Sequence, residues 1–285
     1  MRTPPFINLR EWNVGGGVLT EPEIDLGRLQ RARRMVLLIH GFNTTKPEAF
    51  AGYQSFIAEL TRKAPRIAAQ ACPVYWPGDS SLKGAGYPWL VGRARECAQH
   101  LARFLSSRRG EVIIIAHSLG CRLAIETMDL LRDAEERPSI RLFLMAAAVP
   151  VHKVSDQNAF APGIAAAATT DVLHSGADGV LAYWFRIGQL AAPGEGALLP
   201  EAVGLHGRPG APVWSRVAEM KGYEHGAYWA GLETAAHVSN RLGGPVAKPR
   251  PGRLVARIRL PMTRPAPEAR PGPTPRMLEK RRLHS

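Results

Sequence analysis

The 285-residue chain has only three cysteines, Cys72, Cys97 and Cys121, and no two of them stand in a CxxC pair or at Cys/His ligand spacing. That excludes a disulfide framework and a zinc site and fits reduced thiols. No stretch approaches the roughly 18 uninterrupted apolar residues that a spanning helix needs. The opening, MRTPPFINLREWN, lacks the basic cluster and apolar run of a secretory signal. A cytoplasmic location is therefore the expectation. Hydrophobic residues make up 45% and charged residues 21%, so there is enough apolar material for a sizeable core in one large domain or two small ones.

The formal charge of +13 suggests a nucleic-acid binder until it is located. Residues 245–285 hold 11 Lys/Arg against Glu268 and Glu279, a net +9, which leaves 26 basic and 22 acidic residues, or +4, for residues 1–244. The same 41 residues carry nine prolines, a composition that resists core packing and favours extended or disordered chain. Within them, Arg253–Leu260 alternates like an edge strand. The expected organisation is a folded domain over 1–244, with a candidate lid loop at 188–210, and a basic Pro-rich tail over 245–285.

Strand-like and helical patterns alternate along the body. After a Gly-rich opening, Met35–Ile39 and Val112–Ala116 are apolar runs of the kind buried on both faces of a sheet. Further strands are expected at Pro73–Trp76, Arg141–Ala148, Asp171–His174 and Pro212–Trp214. Helical spacing follows Pro47 (Phe50, Tyr53, Phe56/Ile57, Leu60), runs from Tyr87 to Ser107, and resumes after Ser118. Asp156–Ala168 reads as a loose helix and Ala227–Leu242 as a final one, with Tyr228, Leu232, Ala235/Ala236 and Leu242 on its buried side. The class expected is α/β, a mostly parallel central sheet with helices on both faces.

The segment richest in chemistry is Ala116-His117-Ser118-Leu119-Gly120, set between a strand and a helix without a linker. A serine on such a turn needs small residues two before and two after it, so that strand and helix backbones can approach; this is the GxSxG nucleophile-elbow pattern, with Ala116 in the first Gly position and Gly120 in the second. The turn lifts the Ser118 hydroxyl off the sheet. It also leaves the Leu119 N–H at a helix N-terminus, where developing negative charge is stabilised. The plainer alternative is that Ser118 only caps the helix. His40-Gly41-Phe42 ends an earlier buried strand, as expected of the loop that supplies a second oxyanion donor through Phe42; its alternative is an ordinary turn with a buried histidine.

A serine hydroxyl needs a base to take its proton and a carboxylate to orient that base. His225 lies between the last strand and the last helix, whereas His206 falls in the Gly/Pro-rich loop, His237 inside a helix and His284 in the tail. Among acids, Asp178 follows a strand's carboxyl end, where open α/β sheets place their sites. Asp156 follows the preceding strand and remains an alternative; Asp171 begins a strand at the wrong end. Glu126, Asp129, Asp133, Glu135 and Glu136 lie on or past the elbow helix and read as solvated. Tyr183, Trp184, Trp214 and Trp229 read as core.

These motifs together resemble the α/β-hydrolase superfamily, and more narrowly a bacterial branch of unknown function. The residues that carry the likeness are His40-Gly41-Phe42-Asn43, Trp76-Pro77, Ala116-His117-Ser118-Leu119-Gly120 and Asp178-Gly179-Val180-Leu181, over about residues 33–242. The resemblance implies a serine hydrolase fold with Ser118, Asp178 and His225 in the triad roles, acting on a small acyl substrate with no metal or cofactor. The chain departs from the branch at Pro88-Trp89-Leu90-Val91 and Ala146-Ala147-Ala148-Val149-Pro150, where the branch carries aspartates. Two other readings stand beside it: a non-catalytic scaffold of the same fold that binds a ligand or protein, and a tail that binds nucleic acid or anionic membrane.

Overall fold

The structure, a computed structural model, describes residues 4–11, 16–29, 32–79, 87–190, 199–211 and 213–243. The expected tail, including the strand at Arg253–Leu260, lies outside the described residues, as do positions 191–198 of the expected lid.

Among the described residues eight strands form one sheet: β1 (Ile7–Arg10), β2 (Val18–Ile24), β3 (Arg34–Ile39), β4 (Ala71–Tyr75), β5 (Glu111–His117), β6 (Ser139–Met145), β7 (Thr169–His174) and β8 (Arg216–Glu219). Their order is β2-β1-β4-β3-β5-β6-β7-β8. Every pairing is parallel except β1 with β2. The central strands β3, β4, β5 and β6 are buried almost throughout, which is why they read as unbroken apolar runs. Parallel strands require crossovers, and helices supply them.

The long helices are α2 (Lys46–Lys63), α4 (Tyr87–Ser106), α5 (Leu119–Leu131) and α10 (Leu232–Leu242). Short ones are α1 (Leu26–Leu29), α3 (Pro65–Ala68), α6 (Val151–Ser155), α7 (Ala161–Ala166), α8 (Phe185–Leu190) and α9 (Val203–His206), with a π-helical turn at Val180–Trp184 running into α8. Glu48 starts α2 by accepting the Thr45 N–H at 2.8 Å and its hydroxyl at 2.7 Å, as part of a capping box. Tyr53, Phe56 and Leu60 bury one stripe of α2. Leu90, Ala94, Ala98, Leu101 and Leu105 do the same for α4. Helix α5 is buried on nearly all sides and packs against α4 and α7, while α2 packs against α10. Among the described residues no helix is long and apolar enough to cross a membrane.

The N-terminal ends of the strands carry a buried ionic row. Glu111 takes both Arg34 and Arg141. Asp171 accepts from His237 at 3.0 Å and from Arg241 at 2.7 Å. These partners neutralise carboxylates that would otherwise be too costly to bury, and the bonds from His237 and Arg241 hold the Asp171 carboxyl below the usual carboxylate range in spite of its burial.

Several local expectations are corrected. The last strand among the described residues is Arg216–Glu219; of the expected Pro212–Trp214, Pro212 lies outside the described residues, and Trp214 is a buried turn residue whose indole N–H donates to the Gly207 carbonyl at 3.1 Å. The last helix starts at Leu232 with Gly231 as its N-cap, and Leu232 itself is exposed. Thr234, Ala235 and Val238 provide the buried side with Leu242. Asp156–Ala168 breaks into a loop and α7, since Pro162 suits the first turn of a helix and not its interior. Tyr183 and Trp184 are exposed because the helical period turns Leu181 and Phe185 inward instead. The later part of the 188–210 segment includes α9. Val203 and Gly204 of α9 are buried, with the Gly204 N–H donating to the Ala147 carbonyl at 2.9 Å.

Candidate active site

The elbow is a strained turn locked from several directions. Ser118 sits between β5 and α5 with φ 54° and ψ −124°, a region that costs a non-glycine residue on the order of 1–3 kcal/mol. Its N–H donates to the Met145 carbonyl at 2.9 Å, and its carbonyl accepts from Cys121 at 3.0 Å and Ala148 at 3.2 Å. Glycine at 120 is obligatory by packing: a Cβ there would stand 2.3 Å from the His40 carbonyl oxygen and 2.9 Å from that of Ile39. Ala116, at the other small position, fits fully buried.

Three predicted side chains meet here. The His225 ring lies with Nε2 2.8 Å from Ser118 Oγ and Nδ1 2.7 Å from Asp178 Oδ2. Asp178 is fully buried, and its other oxygen accepts the Leu181 N–H at 2.9 Å, so both carboxylate oxygens are engaged. The carboxylate therefore favours the tautomer with hydrogen on Nδ1, leaving Nε2 free to accept from the serine. The alternatives lie elsewhere. Asp156 is exposed and accepts the N–H of Asn158, His206 is exposed on α9, and His237 pairs with Asp171. His284 is outside the described residues.

The loop after β3 presses on the same spot. A Cβ on Gly41 would be 2.6 Å from Ser118 Cβ, so only glycine lets this loop, and Phe42 after it, approach so closely. Leu119 opens α5, and its N–H has no acceptor inside the helix. His40 is buried, and burial pushes its pKa down to about 4. As a neutral ring it donates from Nδ1 to the Gly41 carbonyl at 3.0 Å and accepts the Trp76 N–H at Nε2 at 3.4 Å. The Trp76 indole N–H donates to the His40 carbonyl at 2.8 Å, and the two rings stack. His40 is thus a structural brace for the loop.

Three features escaped the sequence reading. Tyr53 on α2 accepts the His40 N–H and donates to the Val74 carbonyl, both at 2.8 Å, which joins the ends of β3 and β4. Arg10 and Asp79 form a buried two-point ion pair at 2.8 and 3.0 Å, tying β1 to the segment after Trp76-Pro77. Asp79 directly after Trp76-Pro77-Gly78 was the available signal, but its partner is far away in sequence. The third is His117, whose Nε2–H donates to the His225 carbonyl at 2.7 Å.

The eight-stranded, mostly parallel sheet in the order β2-β1-β4-β3-β5-β6-β7-β8, with helices around it and the strained turn at Ser118 directly after β5, decides the architecture. The chain has the α/β-hydrolase fold. No family model matches the chain, and no curated protein does. Among solved structures it is similar to the RedJ thioesterase of the prodiginine biosynthetic pathway in Streptomyces coelicolor, with 14% identity over 74% of this chain and 87% of that one and a TM-score of 0.42. It is also similar to a pyrethroid hydrolase from Sphingobium faniae JZ-2, at 14% identity, 74% and 98% coverage and a TM-score of 0.38. A monoacylglycerol lipase from Paleococcus ferrophilus aligns at 11% identity, over 73% of this chain and 93% of that one, with a TM-score of 0.39.

Proposed function

We propose that this α/β-hydrolase is a serine hydrolase that cleaves a carboxylic ester or thioester of a small acyl substrate. The observation that carries this reading is the continuous hydrogen-bond chain Ser118 Oγ, His225, Asp178, at 2.8 and 2.7 Å, with the serine on a strained elbow. A serine serving only as a helix cap has no need of the imidazole and buried carboxylate behind it.

In the first half-reaction His225 Nε2 takes the Ser118 proton as Oγ bonds to the acyl carbonyl carbon. The Phe42 and Leu119 N–H groups hold the oxyanion. His225 then delivers its proton to the leaving oxygen or sulfur as that bond to carbon breaks. In the second half-reaction water attacks the acyl-enzyme, gives its proton to His225 and displaces Ser118 Oγ, which recovers the proton. Asp178 stabilises the imidazolium throughout.

The test is turnover of a series of p-nitrophenyl esters of increasing acyl length by the intact protein, Ser118→Ala and His225→Ala. The expected result is turnover by the intact protein and a loss of several orders of magnitude in both variants. Turnover unchanged in the Ser118→Ala variant would refute the reading.

A further inference from the structure

Resting on that reading, we infer that His117 is a positioning residue for the reaction, fixing the main chain of His225 while its neighbour Ser118 engages the His225 side chain. Two consecutive residues of one buried strand end thereby hold the base at two points. The His117 Nε2–H meets the His225 carbonyl at 2.7 Å, and Ser118 Oγ meets the His225 ring at 2.8 Å.

The reason such a clamp is needed lies in the chain around His225. Residues 221–231 belong to no strand or helix, so no ladder fixes the carbonyl of His225. The apolar holds lie further along, where Tyr228 is fully buried and Trp229 packs edge-on against Tyr53 and Phe56 of α2. Gly226, next to the base, has open space around its Cβ position. The polar tie from β5 therefore falls beside a position that no neighbouring atom packs against. β5 is a stiff origin for it, since His117 is paired in register with Met145, whose carbonyl also accepts the Ser118 N–H.

His117 is equipped for this task and not for proton transfer. A Cβ on Gly41 would stand 3.1 Å from its Nδ1, so the ring is wedged between the Gly41 loop and the His225 loop. Burial, with the His225 ring nearby, lowers its pKa to about 3. The ring is neutral and donates steadily across the pH range in which an unperturbed histidine titrates. The rings around it are those of His225, Tyr228 and Trp229, at centroid distances of 4.9, 5.9 and 6.1 Å.

The side chains of Gln and Asn separate the hydrogen bond from mere polarity, because the Gln amide nitrogen reaches the place of Nε2 and the Asn amide nitrogen only that of Nδ1. The measurement is the rate of inactivation by a fluorophosphonate, resolved into its maximal rate and its half-saturation concentration, for the intact protein, His117→Gln and His117→Asn, with thermal midpoints recorded alongside. Displacement of a base by about 1 Å costs on the order of 100-fold. His117→Asn should therefore lower the maximal rate by about 30- to 100-fold with half-saturation within about 3-fold, and His117→Gln should restore the rate to within about 5-fold of the intact protein. Equal rates in the two variants, a change confined to half-saturation, or a loss that follows the thermal midpoint would overturn the inference and leave the hydrolase reading standing. An intact protein that the probe never labels would remove that reading, and this inference with it.

Discussion

Lowering the pH from 7 to 5 is expected to destabilise the fold through two histidines beside the site. His40 and His117 are buried and neutral, with pKa values pushed down to about 4 and about 3 by loss of solvation. In the unfolded chain each returns to about 6.5. Below pH 6.5 the unfolded state therefore binds protons that the folded state refuses, and stability falls as pH falls. At pH 5 the unfolded ring is almost fully protonated and the folded ring almost not at all, so each histidine removes about 2 kcal/mol and the pair about 4 kcal/mol, much of a typical domain's stability. Carboxylates with lowered pKa, Asp171 and Glu48, add to the loss only at lower pH. The assay is urea-induced unfolding at pH 7 and pH 5 for the intact protein and for His117→Gln. The variant should lose about 2 kcal/mol less between the two pH values than the intact protein. Identical losses would refute the assignment of a neutral buried ring at 117.

Other predictions follow from single contacts. Gly120→Ala forces a methyl against the His40 and Ile39 carbonyls at 2.3 and 2.9 Å; it should cost at least about 2–3 kcal/mol by urea unfolding, whereas Ala116→Gly should cost about 1 kcal/mol. Asp178→Asn keeps its shape but deprives His225 of its anionic partner, and it should lower ester turnover by about 10³- to 10⁴-fold with native-like circular dichroism. Asp79→Asn removes the carboxylate that meets the buried Arg10 guanidinium at two points and should destabilise by about 3–5 kcal/mol. The double variant Arg10→Met/Asp79→Leu should recover most of that loss, as a thermal melt would record.

What could be read from the sequence was what is locally encoded. Met35–Ile39 and Val112–Ala116 are apolar on every residue because both faces of those strands are covered, and their strand character needs no distant information. The elbow is similarly compact: Ala116, Ser118 and Gly120 state its steric requirement within five residues. Asp178 and His225 stand after strand ends in the sequence, and both lie within hydrogen-bond reach of their partners. Strand β1 was hidden because its Asn8 and Arg10 look solvent-facing, yet both are buried, held by Glu23 and Asp79 from remote segments. β8 leaves no strand signal, because at a sheet edge its residues are largely exposed and carry no apolar run. α10 starts later than the helical spacing of Tyr228 and Trp229 suggests, since both lie in turns, Tyr228 buried beside His117 and Trp229 partly buried against α2. His117 carries no role legible in the sequence, because a hydrogen bond to a main-chain carbonyl 108 residues away leaves no pattern there.

The central claim is that Ser118 is the nucleophile. It is tested most directly by treating the intact protein and Ser118→Ala with a fluorophosphonate and mapping the adduct by peptide mass spectrometry. The account predicts one phosphonylated residue, Ser118, in the intact protein and none in the variant. Equal labelling of the two proteins, or an adduct on another residue, would contradict it.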